Sequence, residues 1–317
     1  MRIVFWGSPE FAVPTLEALL ESRHEVAGVV SQPARPKGRG RAVEPTPVAR
    51  RAAVAGLSVL TPAKPRGEAF LDELRRLGAD VFVVAAYGEI LPLEVLESPP
   101  HGALNVHASL LPAYRGAAPV TQALLDGRGS TGTTIMRMEA GLDTGPICLQ
   151  AEEPIRPDDT AGLLAGRLAA AGARLAVEAL DRLESGTLTE TPQDDAQASY
   201  AGKVDPRDAR LDWRLAGAQL ERAVRAYDPW PGAWTTWRGE RLKVFRLAPA
   251  GRPGGPSGEP GTLLDVDAEP VVQTGDGAVH LVLVQPAGGR RMSGTQWARG
   301  RELRQGERLG GHDDGAG

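Results

Sequence analysis

Val81-Phe82-Val83-Val84-Ala85-Ala86 is an unbroken apolar run with no polar face. A strand covered by helices on both sides must be apolar on both faces, so the run reads as a central strand of a parallel sheet. The chain on either side agrees. Short apolar segments at 2–6, 25–31, 57–60, 80–85 and 103–107 alternate with helical patterns at 11–22, 47–55, 67–78, 93–97 and 118–127. Such alternation predicts an α/β unit with a doubly wound, mostly parallel, Rossmann-like sheet. From 131 to 154 the pattern becomes strand–turn–strand. A long helix follows over 160–184, with Leu163, Leu164, Leu168, Leu175, Val177 and Leu180 on its apolar side.

The first βα turn, Gly7-Ser8-Pro9-Glu10-Phe11, is not the G-x-G-x-x-G of dinucleotide binders, and Glu10 would sit beside any pyrophosphate. Ser8 as N-cap and Pro9 at the first helical position account for it as a helix start. NAD and FAD binding are thereby disfavoured.

Residues 186–210 are polar and poor in large apolar groups, which marks a linker. The expected domains are an α/β catalytic domain over 1–189, a linker over 190–206 and a C-terminal domain over 207–317. That last domain opens with a helix at 214–227 and Pro229-Trp230-Pro231. Short β-like runs at 233–238, 242–247, 262–267, 271–274 and 279–285 follow, with a Gly/Pro tract at 251–261. Short strands with turn signals at this spacing suggest a small OB-like β-barrel.

The chain has 317 residues, 42% hydrophobic and 24% charged, which is enough for two folded domains and excludes disorder by composition. Its net charge of −4, taken whole, argues against a nucleic-acid partner. Locally the balance differs: residues 33–51 hold six Arg/Lys against one acid, 206–252 ten against five, and 286–308 six against two. The single cysteine, Cys148, excludes an internal disulfide framework and a cysteine zinc site. His24, His101, His107, His280 and His312 show no ligand spacing, so no metal is expected. No apolar run reaches the roughly 20 residues of a membrane helix, so a cytoplasmic protein without a membrane partner is the expectation.

The stretch richest in chemistry is Gly102-Ala103-Leu104-Asn105-Val106-His107-Ala108-Ser109-Leu110-Leu111-Pro112. Asn105 and His107 are two apart on a strand and share a face. They fall at its C-terminal end, where open α/β sheets hold their ligands. Two polar residues on one face of a buried strand require partners. Asp143, between Gly141 and Gly145, supplies a carboxylate in a loop that can fold over the sheet edge. A carboxamide, an imidazole and a carboxylate suit transfer of a carbonyl group to a nucleophile that the substrate itself carries.

The segments 105–112, Arg115-Gly116-Ala117-Ala118-Pro119 and Gly141-Leu142-Asp143-Thr144-Gly145 resemble those of the 10-formyltetrahydrofolate-dependent formyltransferases. Phe5-Trp6-Gly7-Ser8-Pro9-Glu10-Phe11-Ala12, residues 32–40, Ala85-Ala86-Tyr87-Gly88-Glu89-Ile90-Leu91-Pro92 and residues 226–231 extend the likeness over nearly the whole chain. At 113–114 this chain has Ala-Tyr where the family often has a basic residue and Trp. The resemblance implies a formyltransferase-type catalytic domain with Asn105, His107 and Asp143 catalytic. It implies that Ser109, Leu110, Leu111 and Pro112 hold the folate and that Tyr87 and Ile90 line the pterin pocket. The loop carrying Arg35, Lys37, Arg39 and Arg41 is then expected to enter a tRNA acceptor stem, with Arg39 foremost, and the C-terminal domain to bind tRNA. The implied co-substrate is 10-formyltetrahydrofolate and the implied acceptor is methionyl initiator tRNA, used in translation initiation by a monomer without a metal. The alternatives are a sugar-nucleotide N-formyltransferase and a formyltetrahydrofolate hydrolase.

Overall fold

A computed structural model describes residues 1–37, 42–250 and 258–310. Arg39 and Arg41, most of the 251–261 tract and residues 311–317 lie outside the described residues. The chain divides into two units. The first comprises Met1–Pro119, Gly129–Ile155 and Leu164–Gly202; the second comprises Val120–Arg128, Arg156–Leu163 and Lys203–Gly317.

The first unit begins with β1 (Arg2–Gly7), α1 (Val13–Glu21) and β2 (Glu25–Val30). A hairpin of β3 (Arg35–Lys37) and β4 (Ala42–Glu44) leads into α2 (Pro47–Val54), β5 (Val59–Leu60), α3 (Glu68–Leu77), β6 (Val81–Ala85), α4 (Leu93–Leu96) and β7 (Ala103–His107). Next come β8 (Arg115–Gly116), α5 (Pro119–Leu125), β9 (Ser130–Arg137), β10 (Ile147–Pro154), α6 (Ala161–Glu184) and β11 (Tyr200–Ala201). Of these, α5 lies almost wholly within the second unit.

The main sheet runs β10-β9-β7-β6-β1-β2-β5. Its pairs from β7 to β5 are parallel, whereas β9 and β10 add antiparallel at the other edge. All five residues of β6 are buried, as a central parallel strand requires. Ile3, Phe5, Val83, Leu104 and Val106 pack on one side with Leu16 and Leu19 of α1 and Ala176 and Leu180 of α6. Val4, Trp6, Phe82 and Val84 pack on the other with Phe70, Leu71 and Leu74 of α3. Strand order reverses between β1 and β6, whose C-terminal ends align at Gly7 and Ala85. Open α/β sheets bind ligands at that switch point.

Two local expectations are corrected. Ser8 does not cap a helix: its hydroxyl donates to the Tyr87 carbonyl at 3.1 Å and accepts from the Gln32 amide at 3.2 Å. A 3-10 turn at Glu10–Ala12 intervenes, and the α-helix starts only at Val13. The 33–51 excursion, expected as an irregular loop, contains the β3–β4 hairpin, in which Arg35 pairs with Glu44 in register.

The second unit contains α7 (Gly217–Ala226), β12 (Trp234–Trp237), β13 (Glu240–Ala250), β14 (Leu263–Asp265), β15 (Val271–Gln273), β16 (Ala278–Pro286), β17 (Met292–Ser293) and α8 (Gly294–Arg301). Its antiparallel sheet runs β12-β13-β16-β15-β14. Residues 307–310 bridge the two open edges: Gly310 N–H donates to Thr236 O at 2.9 Å, and Leu263 N–H donates to Glu307 O at 2.8 Å. Joining the edges closes the sheet into a small barrel and leaves no template for strand addition there. Leu242, Val244, Val272, Leu281, Val284 and Trp297 fill it. The helix α8 falls where only β-like runs were expected. Its two glycines and few apolar residues hide it in the sequence. A reciprocal Ser293–Gln296 capping box and the fully buried Trp297 hold it.

One buried titratable group lies where α6 ends. The Met1 ammonium donates to Glu184 Oε1 at 2.8 Å and to His24 Nδ1 at 3.1 Å. Burial, reinforced by that ammonium, pushes His24 below the usual histidine range against the pull of Asp181. A histidine that is harder to protonate when folded stabilises the fold above its unfolded value and loses that contribution as pH falls. Thermal unfolding midpoints should therefore decline below pH 6.5, the ordinary histidine value. In His24→Gln this component of the decline should be absent.

Candidate active site

Asn105 and His107 of β7 project from the sheet face that also carries Ala103 of β7 and Val84 and Phe82 of β6. Both are buried, at 9% and 6% exposure. Asn105 makes no side-chain hydrogen bond among the described residues, so its carboxamide is available to a ligand. His107 Nε2 lies 3.0 Å from the Tyr114 carbonyl, and Nδ1 lies 3.7 Å from Asp143 Oδ2. A carbonyl only accepts, so Nε2 carries a proton. The far nitrogen faces a carboxylate at ionic rather than hydrogen-bond distance. Acceptors thus flank both ring nitrogens.

Asp143 sits with φ 55° in the loop joining β9 to β10. Its Oδ2 accepts from the Gly116 amide at 2.8 Å. Tyr114 and Ala86 also adopt left-handed backbone, at φ 61° and 46°. Three of the five such non-glycine residues among those described therefore border this sheet edge. Each such conformation costs roughly 1–3 kcal/mol and persists only where surrounding bonds enforce it.

Those bonds are visible. Thr134 Oγ1 donates to Ser109 O at 2.6 Å and accepts from Leu111 N–H at 3.1 Å. Gln150 Nε2 reaches Leu111 O and Thr134 Oγ1, both at 2.9 Å. Ser109 is fully buried and its hydroxyl donates to Ala113 O at 2.6 Å, which shapes the 109–112 loop from inside. Leu111 is buried, whereas Leu110 and Pro112 are half-buried. Tyr87 is buried beside Trp6, and burial pushes its phenol up to about 12, so it stays neutral. Ile90 is 87% exposed. Between them, the backbone groups of residues 88–90 make no hydrogen bond among the described residues. Gly88, at φ 92°, brings the chain so close to Gln32 that a Cβ would meet Nε2 at 2.7 Å. Backbone donors and acceptors are thereby presented at the switch-point crevice.

The structure brings Asn105, His107 and Asp143 to one edge, with residues 109–112 beside them. Reading the sequence missed Thr134, Gln150 and Gln193, whose only signal is polarity, and gave Arg115 no role beyond its place in the 115–119 likeness; all four hold the loops by bonds to partners distant in the chain. Cys148 is no nucleophile: burial pushes its thiol up to about 11. Of the expected RNA-facing residues, Arg35 is exposed on β3 and Lys37 ends that strand. Arg50 faces Glu10 and Glu44, each at 3.7 Å, and Arg51 pairs with Glu17 at 3.2 Å.

Comparison with known proteins identifies the class. The formyl transferase model matches residues 1–180 and the formyl transferase C-terminal domain model matches residues 203–302. The chain belongs to the formyl transferase family. It is 48% identical over 314 residues to the methionyl-tRNA formyltransferase of Roseiflexus castenholzii, covering 98% of this chain and 99% of that one. It is 49% identical over 311 residues to the methionyl-tRNA formyltransferase of Thermus thermophilus, with the same coverage. Among solved structures, HypX from Aquifex aeolicus in complex with tetrahydrofolic acid matches with a TM-score of 0.65 at 20% identity. That match covers 94% of this chain and 47% of HypX, so this chain spans about half of the HypX length.

Gly116 has φ 114°, and an added Cβ would lie 2.6 Å from the Ala201 carbonyl oxygen. Gly116→Ala should displace the amide that holds Asp143. We expect a stability loss of about 1–3 kcal/mol in denaturant titration. Activity should fall further than unfolding accounts for at the assay temperature.

Proposed function

We infer that this chain transfers the formyl group of 10-formyltetrahydrofolate to the α-amino group of methionyl initiator tRNA, supplying translation initiation. The observation that carries the reading is its similarity, through both units, to methionyl-tRNA formyltransferases. The polar constellation at the end of β7 supplies a matching chemistry.

The reaction joins the amine nitrogen to the formyl carbon, breaks that carbon's bond to the folate nitrogen, and moves one proton from the amine to that nitrogen. The amine needs little activation, because the neighbouring ester lowers its basicity. Negative charge develops on the formyl oxygen. Asn105, whose carboxamide is unengaged, donates to that oxygen. His107 relays the proton, directly or through water. Asp143 Oδ2, 3.7 Å from Nδ1, orients the imidazole. The residues present suit a folate: 88–90 carry backbone groups without a hydrogen bond among the described residues, available to a pterin, and the 109–112 loop follows His107 in the chain. No group of metal-ligating side chains occurs among the described residues, and the roles above use none.

The RNA is assigned to basic surfaces on each unit. On the first unit it is the hairpin bearing Arg35 and Lys37, with Arg39 and Arg41 in the segment between its strands. On the second unit Arg241 lies 4.1 Å and Arg210 5.6 Å from the Trp234 ring centroid, and Lys243 pairs beside Trp234 on β13. Arginines over an aromatic ring keep their N–H donors for phosphates. Trp230 is 60% exposed, whereas Trp237 is core, packed edge-on against Trp297. Among the described residues no helix is long and apolar enough to cross a membrane.

Formyl transfer assayed with charged initiator tRNA, an amino-sugar nucleotide, or water alone distinguishes the acceptors. The tRNA should be formylated and the others not; formylation of the amino sugar in place of the tRNA would overturn the reading. At saturating substrates, His107→Ala and Asp143→Ala should each lose about 10²–10⁴ in turnover, and Asn105→Ala about 10²–10³. Near-wild-type turnover in both His107→Ala and Asp143→Ala would remove the catalytic assignment.

A further inference from the structure

Gln193 lies in the polar stretch that the sequence marks as a linker, yet its side chain is the most fully engaged carboxamide near the site. Its Nε2 donates to the Asp143 carbonyl at 2.8 Å and to the Gly145 carbonyl at 2.7 Å. Its Oε1 accepts from Arg115 Nε at 3.0 Å and Nη2 at 2.8 Å. Arg115 is itself 2% exposed, and its Nη2 also donates to Asp195 Oδ1 at 2.8 Å. The amide orientation follows from chemistry. A guanidinium only donates, so Oε1 faces Arg115 and both N–H groups face the two carbonyls. The glutamine cannot flip without setting donor against donor and acceptor against acceptor.

The bonds converge on one residue. Gly116 holds the Asp143 carboxylate through its amide, and the adjacent Arg115 holds the Asp143 carbonyl through Gln193. Asp143 is thereby fixed at both ends in a left-handed conformation, uncommon for a residue other than glycine. Side-chain direction depends on that backbone, so the 3.7 Å approach to His107 Nδ1 depends on it too.

We propose that Gln193 is a positioning residue for formyl transfer: its carboxamide, oriented by the buried Arg115, locks the Asp143 loop so that the carboxylate faces His107. The proposal rests on the reading of Asp143 as catalytic. Gln193 acts through Asp143 and touches no substrate.

Gln193→Leu keeps the size and removes every hydrogen bond. Turnover should fall on the order of 10²-fold, the cost of misplacing a catalytic group by about 1 Å. KM for folate and for tRNA should stay within about threefold. Gln193→Glu also keeps the size and pairs with Arg115, but turns an acceptor toward two carbonyls. It should fail to restore turnover, and it serves as the second variant should Gln193→Leu not fold. The decisive readout is coupling. In an Asp143→Asn background the same Gln193 change should cost less than about threefold further, because its effect is already spent. Equal losses in both backgrounds, or a lowered melting temperature with wild-type turnover, would mean a merely structural role and overturn the proposal. Wild-type turnover in Asp143→Asn alone would overturn the catalytic reading of Asp143 and this inference with it. Impaired Asp143→Asn beside unimpaired Gln193 variants would overturn only this inference.

Discussion

The hydrogen bond from the Gly116 amide to the Asp143 carboxylate, 2.8 Å long, is the contact around which the site is arranged. It draws a loop from the β9–β10 turn back to the end of β7, where His107 already stands. β7 is parallel to β6 on one side and antiparallel to β9 on the other. That mixed pairing brings the chain back over the edge at which the parallel strands present their C-terminal ends. A purely parallel continuation would carry it away through a helix instead.

The edge is held by polar groups within an apolar setting. Thr134 and Gln150 fasten the 109–112 loop, and Arg115 and Gln193 fasten the Asp143 loop. Buried polar groups that all find partners rigidify a structure, whereas unpaired ones destabilise it. Asn105 differs: it is buried in the sheet and makes no side-chain hydrogen bond among the described residues. Three residues with left-handed backbone, Ala86, Tyr114 and Asp143, border the same sheet edge. Strain concentrated at one edge is the expected signature of a site whose geometry matters more than its local stability.

The net charge of −4 conceals the distribution that bears on RNA. Residues 1–205 carry 20 basic and 26 acidic groups, and residues 206–317 carry 16 and 14. Structure refines this further. Arg50 and Arg51, counted with the basic excursion in the sequence, face carboxylates. Trp237 lies in the barrel core with Arg238 over its ring, whereas the partly buried Trp234 has Arg210 and Arg241 over its ring. Charge counted along the chain therefore overstates what the first unit offers and understates how the second arranges it.

The strands of the main sheet and the polar pair on β7 were legible because they rest on local periodicity. Alternation places Asn105 and His107 on one face whatever the rest of the chain does, and a six-residue apolar run admits little but a buried strand. Glycines around Asp143 similarly marked a loop able to bend. The β3–β4 hairpin and α8 were not legible, since neither carries the apolar repeat that would reveal it; one rests on cross-strand pairing and the other on a cap and a single buried tryptophan. Ser8 looked like a cap because its neighbours suit one, but Tyr87 and Gln32 claim its hydroxyl. Residues by themselves determined most of the main-sheet strands and the chemistry available. Only tertiary structure decided that the Asp143 carboxylate faces His107 and that Gln193, 50 residues beyond Asp143, is the group that holds its backbone. Periodicity is a property of neighbours in sequence, whereas a hydrogen bond between distant side chains exists only once the sheet has brought them together.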